Sequence, residues 1–199
     1  MALWLGVQPL VLASRSKARR TLLEAAGVPI EIVPADIDER RVASGGAAPE
    51  VAAVLAREKA SAVAGAKPGR IVLGADQTLA LDERQLHKPA GRAQAADQLR
   101  MLRGKSHALH SAVAAVRDGE MLFAHVATAI LTMRNFSDDF LASYLDAARE
   151  DVLSSVGGYQ LEGKGSHLFE RVDGDYFTVL GLPLLPLLDF FRRHGLMAD

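Results

Sequence analysis

The amino-acid sequence predicts a layered α/β or α+β fold in which helices flank a mixed β-sheet. Apolar segments of strand length alternate with segments of helical periodicity along most of the chain. A two-residue turn signal, Asp118-Gly119, lies inside residues 109–133 and predicts a long antiparallel hairpin. The composition, 49% apolar and 24% charged, is that of an ordinary globular protein. The 199 residues predict one domain, built as one body or as two closely joined lobes.

The first half of the chain predicts strands and helices in alternation. Capping serines, the glycine that ends a helix and the proline that opens the next one mark the helix boundaries. Ser44, Gly45 and Gly46 predict a loop before the second helix. The predicted elements are a strand over residues 10–13, a helix over 17–26, a strand over 30–33, an acidic turn over 36–39, a helix from Pro49 to about Gly65, and a central strand over 71–73 that ends at Asp76.

The second half of the chain predicts the long hairpin and three helices, with turns and a second hairpin between them. Asp and Gly pairs predict tight turns, and Ser137 with two following aspartates predicts a helix start. The predicted elements are a strand over residues 79–81, a polar turn over 82–84, a helix ending at Leu102, the hairpin, a helix from Ser137, a glycine-rich segment after Arg149, a hairpin around Asp173-Gly174, and a helix over 183–194.

Charge and cysteine usage exclude several functional classes. A net charge of -1 provides no general attraction for nucleic acid, which needs a basic face. The chain has no cysteine, so disulfides, thiolate zinc sites and cysteine nucleophiles are absent, as expected in a reducing compartment. The apolar start lacks the basic segment of a signal peptide, and no stretch approaches the length of a membrane span. We therefore expect a cytoplasmic protein.

The loop after the first strand carries residues suited to phosphate. Ser14 and Ser16 lie beside Arg19 at the start of a helix, where free backbone amides and the helix dipole favour anions. The alternative is a surface helix that a serine caps, with solvated basic residues.

Acidic and basic residues elsewhere supply what phosphate chemistry needs. Asp76 follows an apolar strand and can serve as a base or hold a divalent cation, or it is a turn residue. Glu39, with Asp38 or Asp36, is a second acidic candidate, unless this turn is only solvated. The cationic candidates, each of which taken alone is more often a surface lysine, are Lys59 and Lys88.

The glycine-rich segment over residues 157–165 allows backbone to approach a base or ribose closely, or it is a flexible loop. The chain contains no Walker loop, dinucleotide fingerprint, nucleophile elbow or metalloprotease histidine spacing. Common kinase, dehydrogenase, serine hydrolase and zinc protease functions are therefore not predicted.

These motifs, in this order, closely resemble the Maf family of nucleoside triphosphate pyrophosphatases. The resemblance covers almost the whole chain from Leu10 onward. The matching motifs are Leu-Ala-Ser-x-Ser-x-x-Arg, Asp38-Glu39, Lys59-Ala60, Gly74-Ala75-Asp76, Lys88-Pro89, Leu102-x-Gly104-x-x-His107, Gly174-Asp175-Tyr176 and Gly181-Leu182-Pro183-Leu184.

The resemblance implies a fold like that of inosine triphosphate pyrophosphatases: an elongated mixed sheet with a nucleotide cleft between two lobes of a single domain over residues 1–199. It also implies hydrolysis of the α–β phosphate bond with magnesium or manganese. Residue by residue, Asp76 matches the proton acceptor, and Glu39 matches a carboxylate associated with metal or catalysis. The phosphate-facing residues are matched by Ser14, Arg19, Lys59 and Lys88.

Three positions bear on the preferred base. Gln77 and Glu162 resemble the branch that acts on 7-methylguanosine triphosphate, whereas the pyrimidine branch has threonine and glutamine there. Ala18 matches neither the tryptophan of the first branch nor the arginine of the second, so a stacking surface worth about 1 kcal/mol is missing. Base preference, metal identity and oligomeric state, a homodimer included, stay open.

Two other functional classes remain for comparison. A nucleotide-binding regulator of cell division or septum formation would keep the pocket and lack turnover. A nucleic-acid binding module is disfavoured, because aromatic and basic residues do not interleave.

Overall fold

One mixed β-sheet organises the protein. The computed structural model describes residues 3–42 and 45–198, without the side chains of Arg40 and Val42, so the predicted loop residue Ser44 lies outside it. The sheet has the strand order β2-β1-β3-β5-β6-β7, with β4 beside β3. Its strands are β1 (Leu10–Leu12), β2 (Ile30–Ile32), β3 (Val72–Leu81), β4 (Arg84–Leu86), β5 (Ser106–Arg117), β6 (Glu120–Met133) and β7 (Phe169–Asp173).

Helices flank this sheet, as the sequence predicts for the fold class. The α-helices are α1 (Lys17–Ala25), α2 (Glu39–Val42), α3 (Ala48–Ala64), α4 (Arg92–Leu102), α5 (Asp138–Ala148), α6 (Tyr176–Val179) and α7 (Leu184–Arg193). Short 3-10 helices lie at Arg149–Leu153, Val156–Gly158 and Lys164–Leu168. No helix in the described ranges combines the length and apolar character needed to cross a membrane.

The mixed character of the sheet comes from two kinds of pairing. β1 runs parallel to both β2 and β3, whereas β3, β5, β6 and β7 pair antiparallel in succession. The hairpin of β5 and β6 closes at Asp118 and Gly119, which both have positive φ, 51° and 83°. Such a turn matches strand twist, so the predicted hairpin is confirmed.

Two predicted helix starts are also confirmed at atomic level. The Ser16 hydroxyl accepts a hydrogen bond from the Arg19 amide, and the Ser137 hydroxyl accepts one from the Phe140 amide. Each bond satisfies an amide that the first helical turn leaves without a partner. The acidic turn is different from the prediction, because Glu39 begins the short helix α2.

The prediction that the central strand ends at Asp76 is wrong. β3 continues to Leu81, and β5 pairs with it without interruption from Val72 to Ala80. This continuous partner supplies hydrogen bonds across the polar residues 76–78, so the strand does not break there. Asp76 therefore lies in the middle of β3, and the separate strand predicted over residues 79–81 is its second half.

The predicted hairpin at Asp173-Gly174 is also wrong. β7 ends at Asp173 and pairs with β6, which lies far away in sequence. Gly174 then turns the chain with φ 140°, and the Asp175 carboxylate caps α6 through the Thr178 amide at 2.9 Å. The aspartate thus starts a short helix where a second strand was expected.

Two of the apolar clusters among the described residues lie toward opposite ends of β3. One includes Leu10, Leu23, Leu73 and residues of α7. The other is built on α4, α5 and the end of β6, and it includes Leu79. The polar residues of β3 lie between the positions that enter these two clusters.

Helix α3 approaches β3 unusually closely at Gly74. A Cβ atom at Gly74 would lie 2.0 Å from the Ala56 carbonyl oxygen and 2.5 Å from the Ala60 nitrogen. Only glycine permits that separation. The close contact carries Lys59, on α3, toward the middle of β3.

One edge of β3 is open in its middle. On the side opposite β5, β1 pairs with Val72 and Leu73, and β4 pairs with Leu79 to Leu81. Neither strand pairs with residues 74–78 on that side. The sheet therefore has a gap, with strands at both of its ends and Asp76 within it.

Candidate active site

A single cleft collects the residues that the sequence singled out. It has a volume of about 1370 Å³ and lies at the gap beside β3. The predicted residues that line it are Ser14, Ser16, Ala18, Arg19, Glu39, Lys59, Asp76, Gln77, Lys88 and Glu162. They come from six separate parts of the chain, so the fold assembles what the sequence distributes.

An ion-pair triad lies at the centre of the cleft. The Lys59 ammonium is 2.6 Å from the Asp76 carboxylate and 2.7 Å from the Glu39 carboxylate. Lys59 and Asp76 are both buried, whereas the Glu39 side chain is more than half exposed. Lys59 therefore holds Asp76 in one position and leaves Glu39 at the mouth of the cleft.

Arg19 connects three segments around the cleft. Its Nε donates to the Gly181 carbonyl at 2.8 Å, and its Nη1 donates to the Ala75 carbonyl at 2.8 Å and to Ser14 Oγ at 3.2 Å. Burial lowers the pKa of the guanidinium below its usual value, and the nearby Asp76 and Glu39 carboxylates oppose that shift. An arginine so held keeps its positive charge and fixes the wall of the cleft.

The loop between β1 and α1 is arranged around serine hydroxyls. Ser14 Oγ accepts a hydrogen bond from the Ser16 amide at 3.2 Å, and Ser16 in turn caps α1. Ser14, Ser16 and the first residues of α1 all line the cleft. The amino end of α1, with its partial positive charge, therefore borders the space that Asp76 and Lys59 face.

Lys88 adds a cation that no ion pair neutralises among the residues described. The Gln98 side chain holds the preceding residue, His87, by donating to its carbonyl at 2.8 Å. Desolvation in the cleft lowers the pKa of Lys88 from its usual 10.5, and the Arg19 charge lowers it further. This charge is therefore available to an anionic ligand.

Gln77 points away from Asp76, to the other face of β3. Its amide nitrogen donates to Ser111 Oγ at 2.9 Å and to the carbonyls of Thr178 and Val179 in α6 at 3.1 and 3.0 Å. Because the edge of β3 is open here, side chains on both faces reach the same cleft. Asp76 therefore contacts Lys59 of α3, whereas Gln77 is hydrogen-bonded to carbonyls of α6.

The glycine-rich segment forms the far wall and is less flexible than a plain loop. Tyr159 is buried, and its hydroxyl lies 2.6 Å from Nε2 of the buried His107. Gly157 and Gly158 have positive φ, and Gly165 lies too close to Gln160 for a side chain. Glu162 is exposed at the cleft.

Comparison with known proteins places this geometry in a family. The model of the Maf-like protein family matches residues 9–194. The chain belongs to the Maf-like family. It is 58% identical, over 201 residues and the whole of both chains, to a nucleoside triphosphate pyrophosphatase of Rhodopseudomonas palustris (strain HaA2).

A second Maf-like relative has a name that specifies a substrate. It is a 7-methyl-GTP pyrophosphatase of Rhizobium etli, 51% identical over 191 residues, or 94% of this chain and 96% of that one. Among solved structures, a HAM1 protein from Coxiella burnetii has a TM-score of 0.45 and 18% identity over 65% of this chain and 75% of that one.

The Maf-like cleft offers oxygen ligands for a divalent cation. No group of three or more His, Asp or Glu side chains suited to a metal occurs among residues 3–42 and 45–198. Magnesium, however, often takes only one or two carboxylates, with phosphate oxygens and water completing its shell. Glu39 and Asp76 fit that requirement, and both carboxylates contact Lys59.

Sequence reasoning missed some residues of the cleft. Thr78 lies two residues after Asp76, on the same face of β3, and its hydroxyl donates to the Ala48 carbonyl of α3 at 2.8 Å. The alternation of strand side chains would have identified it if β3 had been recognised as continuous. Tyr176, an exposed aromatic at the start of α6, was quoted as part of the Gly174-Asp175-Tyr176 motif but received no role in the site, because that helix was not predicted.

Proposed function

We propose that this chain hydrolyses nucleoside triphosphates to a nucleoside monophosphate and pyrophosphate. The observation that carries the proposal is a buried Asp76 carboxylate held by Lys59 at 2.6 Å, beside the amino end of α1 and the Lys88 cation. A triphosphate needs cations and amides around its oxygens, and water needs a base. Relatives at 58% and 51% identity are named as pyrophosphatases.

In the proposed reaction, each group of the cleft has a separate role. The loop amides, the Ser14 and Ser16 hydroxyls and the Lys88 ammonium bind the phosphate chain. Water attacks the α-phosphorus, its proton passes to Asp76, and the bond from that phosphorus to the α–β bridging oxygen breaks. That oxygen leaves with pyrophosphate. Lys59 orients Asp76 throughout, and Arg19 keeps Ser14 and the backbone at Ala75 in place.

A divalent cation, magnesium or manganese, is part of the proposal. Glu39 and Asp76 would hold it together with phosphate oxygens, and the cation would offset the charge that develops on the leaving pyrophosphate. We expect no turnover once a chelator removes the metal, and recovery when magnesium or manganese is returned.

The nucleobase of the substrate is the more specific part of the proposal. Gln77 and Glu162 line the cleft with an amide and a carboxylate, and Ala18 leaves space where a large side chain would narrow it. A relative named for 7-methyl-GTP supports a modified guanine base. We infer a role in removing such nucleotides from the cytoplasmic pool, with no nucleic-acid partner.

A pyrophosphate-release screen tests the reaction. The purified chain is incubated with canonical triphosphates and with the 7-methylguanosine, 5-methyluridine and pseudouridine forms, with magnesium, manganese or a chelator. Release of pyrophosphate with an equal amount of monophosphate supports the proposal. Tight nucleotide binding without pyrophosphate release across the panel would instead favour a nucleotide-binding regulator.

Asp76→Asn tests whether the Asp76 carboxylate accepts the proton from water. We expect turnover to fall by about 10² to 10⁴-fold, because the amide cannot accept the proton. Asp82→Asn is a matched control at the end of the same strand: Asp82 is exposed, has a φ of 53° that asparagine tolerates, and lies outside the cleft. If Asp76→Asn retained the turnover of Asp82→Asn, Asp76 would not be the base.

A further inference from the structure

The orientation of the Gln77 amide is determined by its surroundings. Two of its neighbours, the carbonyls of Thr178 and Val179, accept hydrogen bonds and never donate them. The end of the amide that faces α6 must therefore be the nitrogen. The oxygen, Oε1, is then the end of the amide that is not bonded to these carbonyls.

That oxygen lies near Gly181 and the Arg19 guanidinium, and Gln77 is one of the residues that line the cleft. A Cβ atom at Gly181 would lie 3.6 Å from Gln77 Oε1 and 3.5 Å from Arg19 Nη2. Oε1 accepts no hydrogen bond from the residues that the structure describes, although the Gln77 amide nitrogen has three partners. The wall therefore presents one unused acceptor at a fixed place.

Ser111 is the side chain that completes this arrangement. It lies on β5 directly opposite Gln77 and is fully buried. Its hydroxyl donates to the Thr178 carbonyl at 2.7 Å, so its lone pairs remain to accept from Gln77 Nε2 at 2.9 Å. Ser111 has no access to a ligand, and any effect it has on recognition must act through Gln77.

We propose that Ser111 is a positioning residue that, with the carbonyls of α6, fixes Gln77 so that its Oε1 reads an N–H group on the nucleobase. The proposal rests on the proposed function, and it names the chemistry of the base. Guanine offers two adjacent donors, N1–H and the 2-amino group. A glutamine whose amide could flip would pair with hydrogen-bond donors and acceptors alike. It would therefore discriminate less between nucleobases.

The experiment compares three triphosphates that differ in these donors. The parent is guanosine triphosphate, inosine triphosphate lacks the 2-amino group, and 1-methylguanosine triphosphate lacks N1–H. We expect the wild type to prefer the parent over at least one analogue. The preference is measured as kcat/KM for the parent divided by kcat/KM for the analogue. In Ser111→Ala this ratio should fall about three- to tenfold because KM for the parent rises, while kcat for the parent changes little.

Further variants separate positioning from a general loss of structure. Ser111→Thr keeps the hydroxyl and should restore the ratio. Gln77→Leu should abolish the ratio, and adding Ser111→Ala to it should have no further effect on the ratio, because the two residues act as a unit. Ser106→Ala is the matched control: it removes another serine hydroxyl from β5, one that bonds to Thr132 outside the cleft, and it should leave the ratio unchanged.

Three results would overturn the inference. They are a wild type without preference among the three triphosphates, an equal loss for all three in Ser111→Ala, and an additive effect in the double variant. If the wild type binds the triphosphates and releases no pyrophosphate, the proposed function fails. The same ratios, measured as Kd by calorimetry, then still decide whether Ser111 acts on base recognition.

Discussion

Gly74→Ala tests whether the close approach of α3 to β3 creates the ion pair between Lys59 and Asp76. The added methyl group would lie 2.0 Å from the Ala56 carbonyl oxygen and 2.5 Å from the Ala60 nitrogen. Both atoms belong to the backbone of α3, so no side-chain rotation can relieve the overlap. The helix itself has to move away from the strand.

The displacement can be estimated from these distances. An ordinary contact begins at 3.4 Å, so α3 must move by about 1.4 Å near Ala56. Lys59 lies in the same turn, and its ammonium is 2.6 Å from Asp76. Misplacing a catalytic group by about 1 Å can cost about 10²-fold in rate, and overpacking costs about 1 to 3 kcal/mol of stability.

The assay is kcat/KM for pyrophosphate release, measured with the free energy of unfolding from urea denaturation. Gly65→Ala is the matched control at the end of the same helix, because Gly65 has φ -59° and no atom within 4 Å of an added Cβ. That control should be neutral or more stable by up to about 1 kcal/mol. Wild-type kcat/KM in folded Gly74→Ala would refute the reasoning.

Two predictions concern pH. The Lys88 pKa is lowered by desolvation and by Arg19, and phosphate binding needs the protonated form, so kcat/KM should fall as pH rises through a value below 10.5. Lys88→Arg should move this fall to higher pH, and an unchanged profile would exclude Lys88 as its source. Burial beside Tyr159 lowers the His107 pKa from 6.5 to about 4, so the unfolded chain takes up a proton in this window that the folded chain does not. The free energy of unfolding should therefore decrease as pH falls from 6.5 to 4, by about 1.4 kcal/mol per pH unit at most, and this dependence should be weaker in His107→Gln by urea denaturation.

Local signals predicted much of the fold. Ser16 and Ser137 mark helix starts in the sequence because capping depends on residues only three positions apart. Asp118-Gly119 predicted its turn for the same reason, since both residues tolerate positive φ. Boundaries that depend on contacts between neighbouring residues were therefore within reach.

Nonlocal pairing caused the errors. The continuity of β3 depends on β5, and the pairing of β7 depends on β6, about 40 residues earlier in the chain. Polar residues at 76–78 and the Asp173-Gly174 pair are typical of a strand end and a turn when they are considered alone. Tertiary hydrogen bonds overrode both local preferences.

The site shows the same division. Residue chemistry and the family resemblance indicated Asp76, Glu39 and Lys59, but no spacing rule predicts that Lys59 contacts both carboxylates. That contact depends on the close approach of α3 to β3, which only a glycine at position 74 permits. The Gly74-Ala75-Asp76 motif includes this glycine, but the motif alone does not reveal the reason for it. Ser111 was not singled out because its hydrogen bonds join it to Gln77, on the neighbouring strand β3, and to Thr178, in a helix that was not predicted.

The gap in the edge of β3 also has a consequence for self-association. An unpaired strand edge is usually a hazard, because a strand from another molecule can add to it and begin aggregation. Here β1 and β4 pair with β3 at both ends of the open stretch. Within that stretch, Arg19 donates a hydrogen bond to the Ala75 carbonyl. An extended peptide finds too short an edge to pair with, whereas a compact solute can enter. The protein can therefore leave backbone open inside its sheet without offering it to other chains.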